Sequence, residues 1–178
     1  MAQHSIKIWD PWVRIFHWSL ASTFLLNYFI TEEGEFWHNW IGYTAGVLVS
    51  LRVVWGFISP GHARFSRFFP TPHRVKHHIA ALQSGQLDPY EGHNPMGGAM
   101  VLVLMALMLS LAVTGFMMKE IDMFFGEEWL EDLHKVIANL TMAAVVIHVT
   151  AVTVIQRKFG IELVRPMITG SRRIHKQE

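Results

Sequence analysis

Eleven histidines and no cysteine set the chemistry open to this chain of 178 residues. Without a thiolate it can hold no iron–sulfur cluster, no Cys-type zinc site, no covalent C-x-x-C-H haem and no disulfide. Any bound metal must therefore rest on His, Met or carboxylates. His4, His62, His73, His77, His78, His93 and His175 fall in loops or tails, whereas His17, His38, His134 and His148 fall within or at the ends of long apolar runs. Ionisable groups at such depths are costly and are kept where they face an interior with partners. One such residue reads equally well as a core imidazole bonded to a carbonyl. Four whose depths match in pairs point elsewhere.

His134 and His148 are 14 positions apart, close to four helical turns, so both project from nearly one face about 21 Å apart along the axis. His17 stands level with His148, and His38 with His134, so each depth has two imidazoles on different helices. Imidazole is the natural axial ligand for haem iron where no thiolate is present, and a bis-His site leaves no open position, which suits electron transfer. The pattern predicts two stacked b-type haems, one held by His17 and His148 and the other by His38 and His134.

Long apolar helices must position these residues. Hydrophobic residues make up 51% of the chain and charged ones only 16%, against roughly a quarter charged in an average globular domain. Runs long enough to cross a bilayer cover 13–30, 36–58, 97–118 and 133–155. Inside hydrocarbon each segment must satisfy its own backbone, and no alternating strand-type pattern is seen, so helices are expected. The expected fold is all-α, an integral membrane four-helix bundle with two haems stacked between the helices, and residues 1–178 form a single membrane domain. The first run lacks a small-x-small cleavage site and reads as a retained helix. Within the loop 59–96, Thr71 and Pro72 start, and Gly85 stops, an amphipathic interfacial helix over 72–84. Its Val75, Ile79 and Leu82 form a stripe opposite Arg74, Lys76, His77 and His78. Pro60, Pro70, Pro89 and Pro95 mark irregular connection.

Charge sets the expected orientation. Lys7 and Arg14, then Arg64, Arg67, Arg74 and Lys76, then Arg157, Lys158, Arg165, Arg172, Arg173 and Lys176 share one side. Glu32, Glu33 and Glu35, with Glu120, Asp122, Glu127, Glu128, Glu131 and Asp132, occupy the other, where the one base is Lys119. The positive-inside rule places both termini in the cytoplasm. Trp9, Trp12 and Trp55 then fall near the inner boundary, with Trp37, Trp40 and Trp129 near the outer one. A net charge of +1 gives no argument for nucleic acid.

Further residues lie where haems would need them. Gly42 and Gly46 follow His38 on its own face and would let a flat porphyrin approach the backbone, or equally serve ordinary helix packing. Arg14 lies one turn before His17, and Arg52 lies on the face of His38 at the inner end of its helix. Each could pair with a propionate of the inner haem, or with lipid phosphate by snorkelling. Lys135, beside His134, points sideways. Met100, Met105, Met108, Met117 and Met118 read as packing, and the i, i+4 pair His73 and His77 as a solvated face.

The segments Trp9-Asp10-Pro11-x-Val13-Arg14-x-Phe16-His17-Trp18, His38-x-x-x-Gly42, Arg52-x-x-Trp55-Gly56-Phe57 and Thr114-Gly115, with His134 and His148, resemble the bacterial cytochrome b561 family, which includes the cytochrome b subunits of nickel–iron hydrogenases. The resemblance runs from about residue 7 to 160. It implies a four-helix di-haem membrane protein passing electrons between a quinone pool and a partner protein, with His17, His38, His134 and His148 matching the family's axial ligands. Expected partners are membrane lipid, a quinone and a periplasmic redox enzyme or cytochrome, with a homodimer also allowed. A quinone site near the inner haem would draw on Arg14, His62 and Arg64. The acidic outer rim with Phe124, Phe125 and Trp129 would dock the redox partner or be a solvated hairpin. Two rival functions stand beside this one: a stand-alone quinol oxidase using oxygen or superoxide, and a haem-free metal-ion or proton carrier lined by the same histidines. The second is disfavoured because the helix centres carry no carboxylates and the histidines form two distant tiers.

Overall fold

The computed structural model describes residues 3–85, 92 and 94–175, with the side chains of residues 3, 4, 62 and 175 excepted. Pro89, His93, Lys176 and the imidazole of His62 thus lie outside the described residues. In chain order the elements are β1 (Gln3–Lys7), α1 (Pro11–Phe29), α2 (Phe36–Ile58), α3 (Phe65–Phe68), α4 (Pro72–Ser84), α5 (Pro95–Glu120), α6 (Glu128–Phe159), α7 (Val164–Thr169) and β2 (Ser171–His175), with single 3-10 turns at Gly61–Ala63 and Asp122–Phe124.

Among the described residues three helices, α2, α5 and α6, are long and apolar enough to cross a membrane. The sequence led us to expect four. The remaining one, α1, has 19 residues and carries Arg14, His17 and Asn27, which dilute its apolar character. Its start has a local cause: the Asp10 carboxylate accepts from the Val13 N–H at 2.9 Å and Pro11 follows at the first helical position, a cap with a preset φ. Helix α6, at 32 residues, overruns the expected 133–155 at both ends. Hydropathy sees only the apolar middle, while Glu128 and Glu131 in the first turn and Arg157 and Lys158 in the last favour helix by opposing its macrodipole.

The chain divides into two compact units. One comprises 15–54 and 102–146. Its apolar centre is Phe24 of α1, Ala45 and Val49 of α2 and Met108 of α5, with Leu20, Met105, Leu111, Met142 and Val145 packed against them. Four helical segments therefore contribute to one cluster. Gly46 is required where α2 meets α5, because a Cβ there would stand 3.0 Å from that of Ala112.

The other unit comprises 1–14, 55–101 and 147–178. Here β1 and β2 pair antiparallel, in the register Gln3 with His175 through Lys7 with Ser171. This ribbon departs from the all-α expectation. Five-residue strands whose partners lie at opposite ends of the chain leave no periodic signal long enough to read. Next to it Ile8, Trp9, Val13 and Ala63 form a core, joined by Ile6, Trp55 and Met167. Trp9 is thus a core residue of this unit, while Trp12 is exposed. Arg172 is buried and its Nε donates to the Glu162 carbonyl at 2.8 Å. Helix α4 starts with the Thr71 hydroxyl accepting from the Arg74 N–H and ends at Gly85 in the left-handed region, φ 72°. Its inward face differs from the expected stripe: His78 is buried and Ile79 is exposed. The register of the helix against its protein neighbours, which the sequence does not carry, decides which residue turns inward. Arg74 fastens α4 in place, its Nη1 donating to the Arg67 carbonyl at 3.1 Å near the end of α3.

Candidate haem-ligating site

His38 and His134 both lie within the first unit. His38 sits in the first turn of α2 and His134 in the second turn of α6. Their ring centres are 6.4 Å apart, with the planes turned 63° from one another. Each imidazole is half-buried.

Local interactions explain why His38 points where it does. Asn27, near the end of α1, donates from Nδ2 to the His38 carbonyl at 2.9 Å, tying the first turn of α2 to α1. Thr31, in the turn after α1, places its hydroxyl 3.1 Å from His38 Nδ1. On the other side Thr114, buried on α5, places its hydroxyl 2.7 Å from His134 Nδ1. Gly115 follows it, and a Cβ at that position would touch His134 Cε1 at 3.5 Å. Thr114 therefore orients the ring, and Gly115 lies against it. Asn27 and Thr31 were not singled out in the sequence. A polar residue inside an apolar span was the available signal, but its partner is fixed only by the fold.

Two further contacts brace this end. The Tyr28 hydroxyl donates to Asn139 Oδ1 at 2.8 Å, joining α1 to α6. Lys135 pairs with Glu33 at 3.4 Å, an exposed contact that contributes little stability and occupies the lysine. A Cβ added at Gly42 would meet Asn27 Nδ2 at 3.6 Å, an ordinary contact, so the amide that holds the His38 carbonyl does not itself call for glycine there.

His17 lies on α1 with its ring edge-on to Trp18, centres 5.0 Å apart, and Arg52 is buried on α2. His148 lies on α6 in the second unit and, like His17, is half-buried. Arg14 donates from Nη1 to the Ile168 carbonyl at 2.6 Å, so its guanidinium caps the end of α7, a role the sequence did not suggest. On α6 itself His134, Thr141 and His148 recur every seventh residue, and Thr141 is almost fully buried.

The donor set fits a porphyrin iron. Among the described residues no group of three or more His, Cys, Asp or Glu is placed to hold a metal ion. A pair of imidazoles suits an iron that brings its own equatorial ligands. Two metal–imidazole bonds of about 2 Å, with about 1 Å from each nitrogen to its ring centre, put the ring centres about 6 Å apart, against the 6.4 Å observed. With both Nδ1 atoms engaged by threonine hydroxyls, Nε2 is the atom each ring has left to offer a metal.

Apolar spanning helices with facing imidazoles define a class of membrane haem proteins. Residues 8–170 match the model of the prokaryotic cytochrome b561 family, and the chain belongs to that family, as the sequence motifs indicated. Its members are helical membrane bundles that bind haem b, and this protein is a membrane b-type cytochrome of electron transfer. No curated protein and no solved structure gives a significant match.

Proposed function

We propose that the protein is a di-haem cytochrome carrying electrons across the bacterial inner membrane between the quinone pool and a periplasmic redox partner. The observation that carries this reading is the outer pair: two imidazoles at the separation of a bis-His site, each with its second nitrogen occupied. The bound groups supply one-electron oxidation and reduction, and the side chains of the chain undergo no bond-making chemistry.

His38 and His134 hold the outer haem and His17 and His148 the inner one, with α6 supplying one ligand to each. The recurrence of His134, Thr141 and His148 every seventh residue along α6 supports this, because it puts both ligands on nearly one face of the helix. Four spans are supported by α1, whose 19 residues reach about 28 Å, near the roughly 30 Å hydrocarbon thickness, and whose Phe24 and Leu20 join the cluster shared with α2, α5 and α6. Basic residues on the segments before α1, between α2 and α5 and after α6 support cytoplasmic termini. Arg52 is the residue for an inner propionate. Arg14 serves α7 first, and Gly46 serves the approach of helices that frames the outer site.

The test is the optical spectrum of the detergent-purified protein, oxidised and dithionite-reduced, with haem quantified against protein. About two low-spin b-type haems per chain are expected from two bis-His sites. A colourless protein binding a divalent metal would refute the reading.

A further inference from the structure

The Nδ1 atoms of both outer histidines meet hydroxyls whose own protons are already committed. Thr31 Oγ1 lies 3.2 Å from the Asn27 carbonyl and 3.2 Å from the Asn27 side-chain oxygen. That amide cannot be turned round, because its nitrogen donates to the His38 carbonyl, so what faces Thr31 is an acceptor. A threonine has one proton to give. It goes to Asn27, and the hydroxyl is left to accept from His38 Nδ1–H. On α5 the same logic applies: Thr114 Oγ1 lies 2.9 Å from the Ser110 carbonyl and 3.2 Å from that of Leu111. Its proton is committed within the helix, and it accepts from His134 Nδ1–H. Back-bonding to the preceding turn is common for threonine and accounts for the Ser110 contact, but not for an imidazole at 2.7 Å.

We propose that Thr31 and Thr114 are positioning residues that lock both outer imidazoles in the Nδ1–H tautomer and raise their electron donation to one shared iron. The proposal rests on His38 and His134 being the ligands of one haem. An imidazole that donates its second N–H gains basicity at the ligating nitrogen. The two hydroxyls act on opposite sides of the same metal, so their effects on its oxidised form add. Together they hold the outer haem at a lower potential than the bare ligand pair would set.

The test is a redox titration of the purified holoprotein followed by its optical bands, with haem quantified. Thr31→Val and Thr114→Val are each expected to keep both haems and to move the same one of the two potentials upward. A fivefold change in the reduction equilibrium, about 40 mV at 59 mV per tenfold for one electron, is the expected size. The double variant should shift by the sum, and Thr31→Ser and Thr114→Ser, which keep the hydroxyl, should restore the original value. Unmoved potentials, shifts in different haems, or serine variants displaced as far as the valine ones would overturn the proposal. Should Thr114→Val lose haem, Thr114→Ser decides: two haems at the original potentials support the lock, and loss here too overturns it. Failure of the underlying reading looks different, since His38→Ala and His134→Ala would then both retain two haems.

Discussion

Replacing His134 with alanine removes one imidazole from a site whose lining stays satisfied. Thr114 keeps its proton on the Ser110 carbonyl, so no buried donor is orphaned. The lost ring is half-buried, so the cavity should cost about 1–2 kcal/mol, below the 2–5 kcal/mol typical of fully buried large-to-alanine changes, and the protein should still fold. Haem binding should respond far more. Losing a group that only orients a ligand already costs about 10–100-fold in metal affinity, and losing the ligand itself should cost more than that. Haem per chain should fall from about two to about one under the bis-His assignment, measured on monodisperse protein from size exclusion. The vacated space, bordered by Gly115 and Thr114, is open to a small ring. Millimolar imidazole should therefore restore the missing haem, with the Thr114 hydroxyl accepting the N–H of the added molecule. A folded variant that keeps both haems, or loses both, would refute the pairing.

Three further outcomes follow from residues away from the haem ligands. Asp10→Ala removes the cap of α1 and should cost about 1 kcal/mol, seen as a lower midpoint in thermal melting. Gly98→Ala would drive a Cβ into the backbone carbonyl oxygen of Phe68; backbone has little freedom to yield, so a loss of about 1–3 kcal/mol is expected in thermal or chemical denaturation. Burial, and next to it the neighbouring His77, hold the His78 imidazole below its ordinary value of 6.5. The unfolded chain then binds the proton more readily, so stability should fall as pH drops below about 6.5 toward the lowered folded value. His78→Phe should flatten that part of a denaturation-against-pH profile, and an unchanged profile would assign the acid sensitivity elsewhere.

The long periodic and apolar features were legible because they are local. Thr71, Pro72 and Gly85 bound α4 as read, and α2 spans 36–58 as its apolar run suggested. The family was legible in motifs whose physical reasons now appear: Asp10-Pro11 caps α1, and Thr114-Gly115 seats His134. Pairings across the chain were not legible. Asn27 reaches His38 and Arg14 reaches Ile168, and nothing in either neighbourhood names the partner. The burial of His78 in place of Ile79 has the same cause, since the residue that turns inward depends on contacts from elsewhere in the chain. The terminal ribbon joins residues more than 160 positions apart, beyond any window that reads periodicity.

That ribbon also carries a rule of parity. Hydrogen bonds between Gln3–Lys7 and Ser171–His175 close the intervening chain into a loop, and the paired strands have to lie on one face of any membrane the loop traverses. A closed loop pierces a sheet an even number of times. The proposed four-span arrangement, with α1 beside α2, α5 and α6, meets that condition, and three crossings alone would not. The same closure means that reporter groups fused at the two ends should stay close neighbours in the folded protein, and should part only when the ribbon opens.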